Sequence, residues 1–199
     1  MAPTPPQFEA DLDCAIELAR SLRFGISSIV FPRNQMSAPF LDVLRKRGIT
    51  AYRGNADHWL YRDGHTPPAG LLGRALRLAD SWIPISRAVP TPARVRSDLV
   101  NVQASAFLRP WSRRTAPFEG LKLARLRRAM TLAAQRGVDF HLWWHPHNFG
   151  IHTDRALAFL GEVLDHHQVL RQRYGVQSMT MAEVAALSTD RRAGEASLT

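Results

Sequence analysis

The sequence predicts an α/β fold with parallel strands, and three observations predict it. Short runs rich in β-branched and aromatic residues alternate with helix-length amphipathic stretches along most of the chain. About five segments carry a strand signal, set apart by the lengths that helical crossovers need. The first element is a helix with no strand before it, so a parallel sheet built this way lacks its opening strand units.

Taken in order, the elements follow from local chemistry. "TPPQFEADLDCAIELARSL" starts a helix: Thr4 caps, Pro5 suits the first helical position and Gln7 completes a capping box. Phe8, Leu12, Ala15, Ile16, Ala19 and Leu22 then share one face. "GISSIVFP" reads as a strand stopped by Pro32, "PFLDVLRKRG" as a helix closed by Gly48, and "ITAYRG" as a second strand. "PPAGLLGRALRLADSWI" reads as a helix weakened by two glycines, and residues 84–98, with Pro84, Pro90 and Pro92, as a loop or irregular insert.

"DLVNVQASAF" reads as a strand and "PFEGLKLARLRRAMTLAAQRG" as a helix burying Leu123, Leu126, Met130 and Ala133. "VDFHLWW" comes next as a strand. "DRALAFLGEVLDHHQVLRQRYG" is a long helix capped by Gly175, with an apolar stripe of Leu160, Val163, Leu164, Leu170 and Tyr174. His167 falls within that stripe as a hydrogen-bonded core histidine, and His166 points to solvent. "VQSM" reads as a last strand and "TMAEVAAL" as a last helix boxed by Thr180 and Glu183. The expected domain covers residues 1–187, and residues 188–199 form a disordered tail.

Composition narrows the function classes. A chain of 199 residues with 45% apolar content supports a sizeable core. No apolar run is long enough to span a membrane, and no basic-then-apolar leader opens the chain, so the sequence reading places it in the cytoplasm. Its single cysteine, Cys14, cannot form an intrachain disulfide and reads as an inert helix residue. The formal charge of +9 is carried by arginine, with lysine only at Lys46 and Lys122. The arginines are scattered and no recognition helix, RNA-binding or zinc-finger signature accompanies them, which argues against a nucleic-acid partner.

The densest chemistry lies in "FHLWWHPHNFG", Phe140 to Gly150. On a strand, Val138, Phe140, Leu142 and Trp144 point to one face and Asp139, His141, Trp143 and His145 to the other. His145 then closes the strand ahead of Pro146, at the end where parallel α/β folds carry their chemistry. Three readings stand. His145 handles protons beside a tryptophan wall; His145 and His147 bind metal as an H-x-H pair; or the segment is a core strand with loop histidines. H-x-H alone is a thin metal signal, since structural zinc wants four ligands and thiolate sets are excluded. His152 and His65 sit in loops without a visible partner.

Three segments in order resemble the polysaccharide deacetylase family, the NodB-homology domain of carbohydrate esterases. "IVFPRNQ" before "LDVLRKRGI" is similar to the family's third motif, a strand ending at a Pro-containing turn. Pro32 matches its proline, Arg33 follows that proline, and Asn34 stands near the family's glycine. "GNADHW" is similar to the fourth motif: Trp59 matches the tryptophan that walls the acetyl pocket, and Asp57 lies one position from the usual acid. "HLWWHPH" is similar to the fifth, with His145 as its histidine and Trp143 as the apolar residue beside the pocket.

The resemblance implies a distorted (β/α) barrel and a hydrolase that removes N- or O-acetyl groups from glycans with a divalent metal such as zinc. It implies His145 as the catalytic acid and Trp59, Trp143, Trp144, Arg33, Asn34 and Asp57 as substrate-binding residues. The family's first motif, Thr-Phe-Asp-Asp-Gly, and its second, a pair of metal histidines, do not occur ahead of residue 25, and no Asp-Asp pair occurs in the chain. The resemblance therefore implies a partial barrel, the C-terminal part of such a domain, holding no metal by itself. The expected partners are a glycan and either the missing N-terminal half or a second copy. The alternatives are a non-catalytic glycan-binding remnant and, further off, a basic nucleic-acid binder.

Overall fold

The protein mixes helices with two small sheets. Its computed structural model describes residues 4–32, 37–55, 71–83, 90–96 and 98–196, in two compact units. The first unit takes residues 1–54, 93–102 and 179–199; the second takes 55–92 and 103–178.

In the first unit, α1 (Pro5–Ser21), β1 (Ser28–Val30), α2 (Ala38–Lys46) and β2 (Ala51–Arg53) match the sequence reading closely. Thr4 N–H donates to Gln7 Oε1 at 2.9 Å, and Gly48 turns the chain out of α2 at φ 73°. β1 lies parallel to β2 across the α2 crossover, with Ser28 opposite Ala51. β3 (Arg94–Arg96) and β4 (Leu99–Asn101) form an antiparallel hairpin, and β4 lies parallel to β2, giving the order β1-β2-β4-β3.

Both faces of this sheet are covered, so its central strands are buried throughout. Tyr52 and Leu99 pack with Leu12, Phe31, Leu41 and Leu44 from the α1 and α2 side. Their neighbours Ala51 and Val100 point the other way and pack with Ala185 of α6 (Met181–Ala196). Arg47 Nη2 ties α2 to α1 through Asp13 Oδ2 at 2.8 Å and Glu9 Oε1 at 2.9 Å. At the end of β2, Gly54 N–H donates to the buried Asn101 side chain at 3.0 Å. A Cβ at Gly54 would stand 2.4 Å from Asn101 Oδ1, so any larger residue there must displace the Asn101 side chain.

The second unit holds α3 (Leu71–Ala79), β5 (Ala106–Phe107), α4 (Glu119–Arg136), β6 (Leu142–Trp143) and α5 (Thr153–Tyr174). β5 and β6 pair in parallel, with Phe107 opposite Trp143 and α4 as the crossover. Helices α4 and α5 lie side by side and run the same way. Lys122 meets the Phe159 ring, Arg127 meets Glu162, Thr131 meets His166 and Gln135 meets Tyr174. Leu126, Met130, Val163 and Leu170 fill the core between them, joined by Phe140 and Leu142. Gly137 and Gly175 close the two helices at φ 61° and 70°.

Several expectations are corrected. Residues 84–98 are not wholly irregular, because Arg94–Arg96 form β3. The run read as one strand over residues 98–107 is two, β4 and β5, in different sheets. β6 has only two residues, so ladder pairing is confined to Leu142–Trp143 within the longer strand read over 138–144. Residues 176–179 form no strand. Helix α6 runs to Ala196, past residue 188, where the tail was expected to begin.

Of the two adjacent histidines of α5, His166 and not His167 makes the inward hydrogen bonds. His166 Nε2 lies 3.0 Å from the Arg127 carbonyl and 2.9 Å from Thr131 Oγ1, whereas His167 Nε2 is buried without a hydrogen-bond partner among the described residues. Leu164, placed on the buried stripe, is exposed. Among the described residues no helix is long and apolar enough to cross a membrane.

Candidate functional site

The site grows from the carboxyl ends of β5 and β6. Ser105 N–H donates to the His141 carbonyl at 2.9 Å, and His141 N–H returns a bond to Ser105 Oγ at 3.0 Å, which fixes the register of this short pair. Register then sets Phe107 against Trp143, with ring centroids 4.5 Å apart. The strand ends there, and Pro146 starts a single 3-10 turn, Pro146–Phe149.

His145 sits between strand and turn. Its N–H donates to Asn148 Oδ1 at 3.1 Å, and its carbonyl accepts from Asn148 N–H at 2.9 Å. The imidazole stands edge-on to Trp143 at 5.4 Å and 90°, and 6.1 Å from Phe107. His147 stacks on it at 5.0 Å and 12°. The result is a ladder of four rings with His145 exposed near its end. A fixed backbone and a restricted ring suit a group that must present a nitrogen in one direction. No carboxylate pairs with His145 among the described residues, so nothing there orients its tautomer as an acid would.

Trp144 takes the opposite side, as strand alternation requires, and its ring meets Phe149 at 5.9 Å. Of the residues singled out from sequence, the structure therefore brings Trp143 and His145 together and turns Trp144 away. Arg33, Asn34, Asp57 and Trp59 lie outside the described residues.

The loop leaving β5 supplies residues that sequence reading missed. A shallow cleft opens between it and the turn after β6, lined by Arg109, Trp111, Lys122, Asn148 and Phe149 among others. Trp111 lies edge-on to His152 at 4.5 Å, and the Arg155 guanidinium stands 6.0 Å from the Trp111 ring. Arg109 Nε is held by Ser81 Oγ at 2.8 Å. The signal that could have found them is the one that found His145: "LRPW" comes directly after a strand and ahead of a helix.

Below the cleft, Lys122 is almost wholly buried. Its ammonium meets the Arg109 carbonyl at 3.0 Å, Glu119 Oε2 at 2.7 Å and the Phe159 ring at 4.3 Å. Burial pushes its pKa below the usual lysine range, and Glu119 only partly offsets that. The Glu119 contact is an ion pair without hydrogen-bond alignment, since both carboxylate oxygens lack a hydrogen-bond partner among the described residues. Carbonyl, carboxylate and ring together hold the Lys122 ammonium beneath the surface.

Among the described residues no three His, Cys, Asp or Glu side chains gather as a metal site. The near-parallel stacking of His145 on His147 also sets the two rings face to face instead of converging them on one point. No family model, curated protein or solved structure matches the sequence.

Proposed function

We propose that this chain is the C-terminal part of a carbohydrate-deacetylase-like domain, with its strands belonging to a partial, distorted (β/α) barrel. The site after β6 binds an acetylated glycan. Two parallel pairs with helical crossovers, β1-α2-β2 and β5-α4-β6, support the architecture. The three sequence motifs, taken in order, support the family.

The observation that carries the functional reading is the position of His145: exposed, just past the carboxyl end of a parallel strand, with its ring against Trp143. In this reading Trp143 offers an apolar wall to an acetyl methyl or a sugar face. His145 holds the proton needed by the departing amine or alkoxide. Hydrolysis also needs an activated water and a group to receive the oxyanion charge. The described residues do not supply these.

The expected behaviour is binding with little or no turnover. Titration with an N-acetylglucosamine hexamer should change tryptophan fluorescence, and Trp143→Ala or His145→Ala should weaken that response. Acetate release with added zinc or cobalt should stay at background. A response unchanged in both variants would remove the site. Metal-dependent release that His145→Ala abolishes would overturn the non-catalytic part of the reading and keep the site.

A further inference from the structure

The arginines that look scattered along the sequence are partly collected by the fold. The loop after β5, residues 108–118, and the segment after β6, residues 144–155, contain Arg109, Arg113, Arg114 and Arg155 against one acidic residue, Asp154. Thr115 N–H donates to the Ser112 carbonyl at 3.1 Å, and the two side-chain hydroxyls meet at 2.7 Å. This closes a turn with Arg113 and Arg114 at its two central positions, both exposed.

Trp111, one residue before the turn, reaches the other segment through His152 and Arg155. Among the described residues Arg113, Arg114 and Arg155 make no ion pair with a carboxylate. The other charges nearby cancel, because Glu119 is turned onto Lys122. A guanidinium at an indole ring, with two exposed arginines on the turn that follows it, presents two kinds of contact at once, planar donors for anions and an apolar ring.

We infer that the Arg113–Arg114 turn, with Trp111 and Arg155, is a subsite for an acidic glycan, its sugar rings meeting the indole and its carboxylates the guanidinium groups. The inference rests on reading the neighbouring His145–Trp143 ladder as a sugar site, and it names the class of sugar polymer that the site takes. Nucleic acid offers anions and flat rings too. The glycan is favoured because one guanidinium, Arg155, meets the Trp111 indole and the exposed Arg113–Arg114 turn follows it directly, a grouping the size of a sugar unit with its anion.

The test compares three probes on the full chain: polygalacturonate, the neutral N-acetylglucosamine hexamer and a single-stranded RNA. Polygalacturonate should bind at low salt and weaken as salt rises. The triple variant Arg113→Ala/Arg114→Ala/Arg155→Ala should lose about tenfold in Kd. A control, Arg191→Ala/Arg192→Ala, removes exposed charge from α6 and should change little. Trp111→Phe should retain most binding and Trp111→Ala should not.

Equal losses in the triple and control variants would mean attraction by net charge alone and overturn the subsite. Tighter binding of RNA than of polygalacturonate would overturn it in favour of a nucleic-acid surface. The two readings fail separately. Hexamer binding that depends on Trp143, without polygalacturonate binding, sinks the acidic subsite alone. Polygalacturonate binding that the triple variant loses, without any hexamer response, sinks the acetyl-glycan reading alone.

Discussion

Removing Glu119 should destabilise the protein far more than removing Glu119 and Lys122 together. Lys122 is 3% exposed and sits 2.7 Å from Glu119 Oε2. At an effective dielectric of about 20, two unit charges at that distance attract by roughly 6 kcal/mol. The lowered pKa of Lys122 says that desolvation outweighs the pairing even so. Glu119→Met takes away the partner and leaves the ammonium buried against one carbonyl and one ring. The Glu119 carboxylate oxygens are themselves buried without a hydrogen-bond partner among the described residues, so the substitution also removes a desolvated charge, and we take the low end of the range for broken buried pairs, about 3 kcal/mol. For a chain of this length that is a fall of roughly 6–12 °C in Tm. The double variant Glu119→Met/Lys122→Met replaces both charges with side chains of similar volume and should fall within about 1 kcal/mol of the wild type. Urea melts of the four proteins complete the cycle. The sign with pH comes from the depressed lysine. As pH rises through the lowered Lys122 value, the folded state sheds its proton before the unfolded state does, so wild-type stability rises relative to Lys122→Met. A double variant as unstable as Glu119→Met, or a single variant within about 1 kcal/mol of wild type, would refute the reasoning.

Other outcomes rest on the same geometry. Gly54→Ala should cost about 1–3 kcal/mol by forcing Asn101 from its place, seen as a lower urea midpoint; an unchanged midpoint would mean that Asn101 moves freely. His166→Leu should cost about 1–2 kcal/mol through the lost bond to the Arg127 carbonyl, whereas His167→Leu should be neutral or stabilising because it removes a buried unpaired nitrogen. The reverse ranking in thermal melts would restore the roles read from sequence. The Arg47 guanidinium holds Asp13 below the usual carboxylate range, and the Thr180 backbone N–H does the same for Glu183. Both contributions are therefore present above ordinary carboxylate values and lost as pH falls through each folded pKa. Carboxyl NMR titration should show the Asp13 midpoint return upward in Arg47→Met, and helicity of α6 should drop on acidification in wild type but not in Glu183→Gln, which has no carboxylate to protonate.

The features legible in the sequence were local. Thr4, Gly48, Gly137, Gly175 and Thr180 mark helix ends because caps are settled by a few neighbouring residues. The features that were not legible depend on partners distant in the chain. Arg94-Val95-Arg96 has a strand's alternation but sits among prolines, and only pairing with Leu99–Asn101 makes it β3. The run 98–107 carries strand chemistry throughout, and nothing in Gln103-Ala104 announces that its halves join different sheets. Helical periodicity placed His167 inward, but Thr131 and the Arg127 carbonyl on α4 capture His166.

The same contrast explains why half of the candidate site was visible and half was not. Histidine and tryptophan are scarce, so Phe140–Gly150 draws notice by composition alone. "LRPWSRRT" has no such density, and its arginines look like a few more among many. Parallel pairing of β5 with β6 changes their standing, because a crossover helix returns the chain to the same end of the sheet each time. Two loops roughly forty residues apart must then open side by side, as Trp111 and His152 do at 4.5 Å. Residues just past the carboxyl end of one parallel strand share a rim with those just past the next. In such a fold, position after a strand is thus a stronger guide to a site than residue type, and by that measure Arg109 and Trp111 share a rim with His145, Arg109 and His145 both meeting the Phe107 ring.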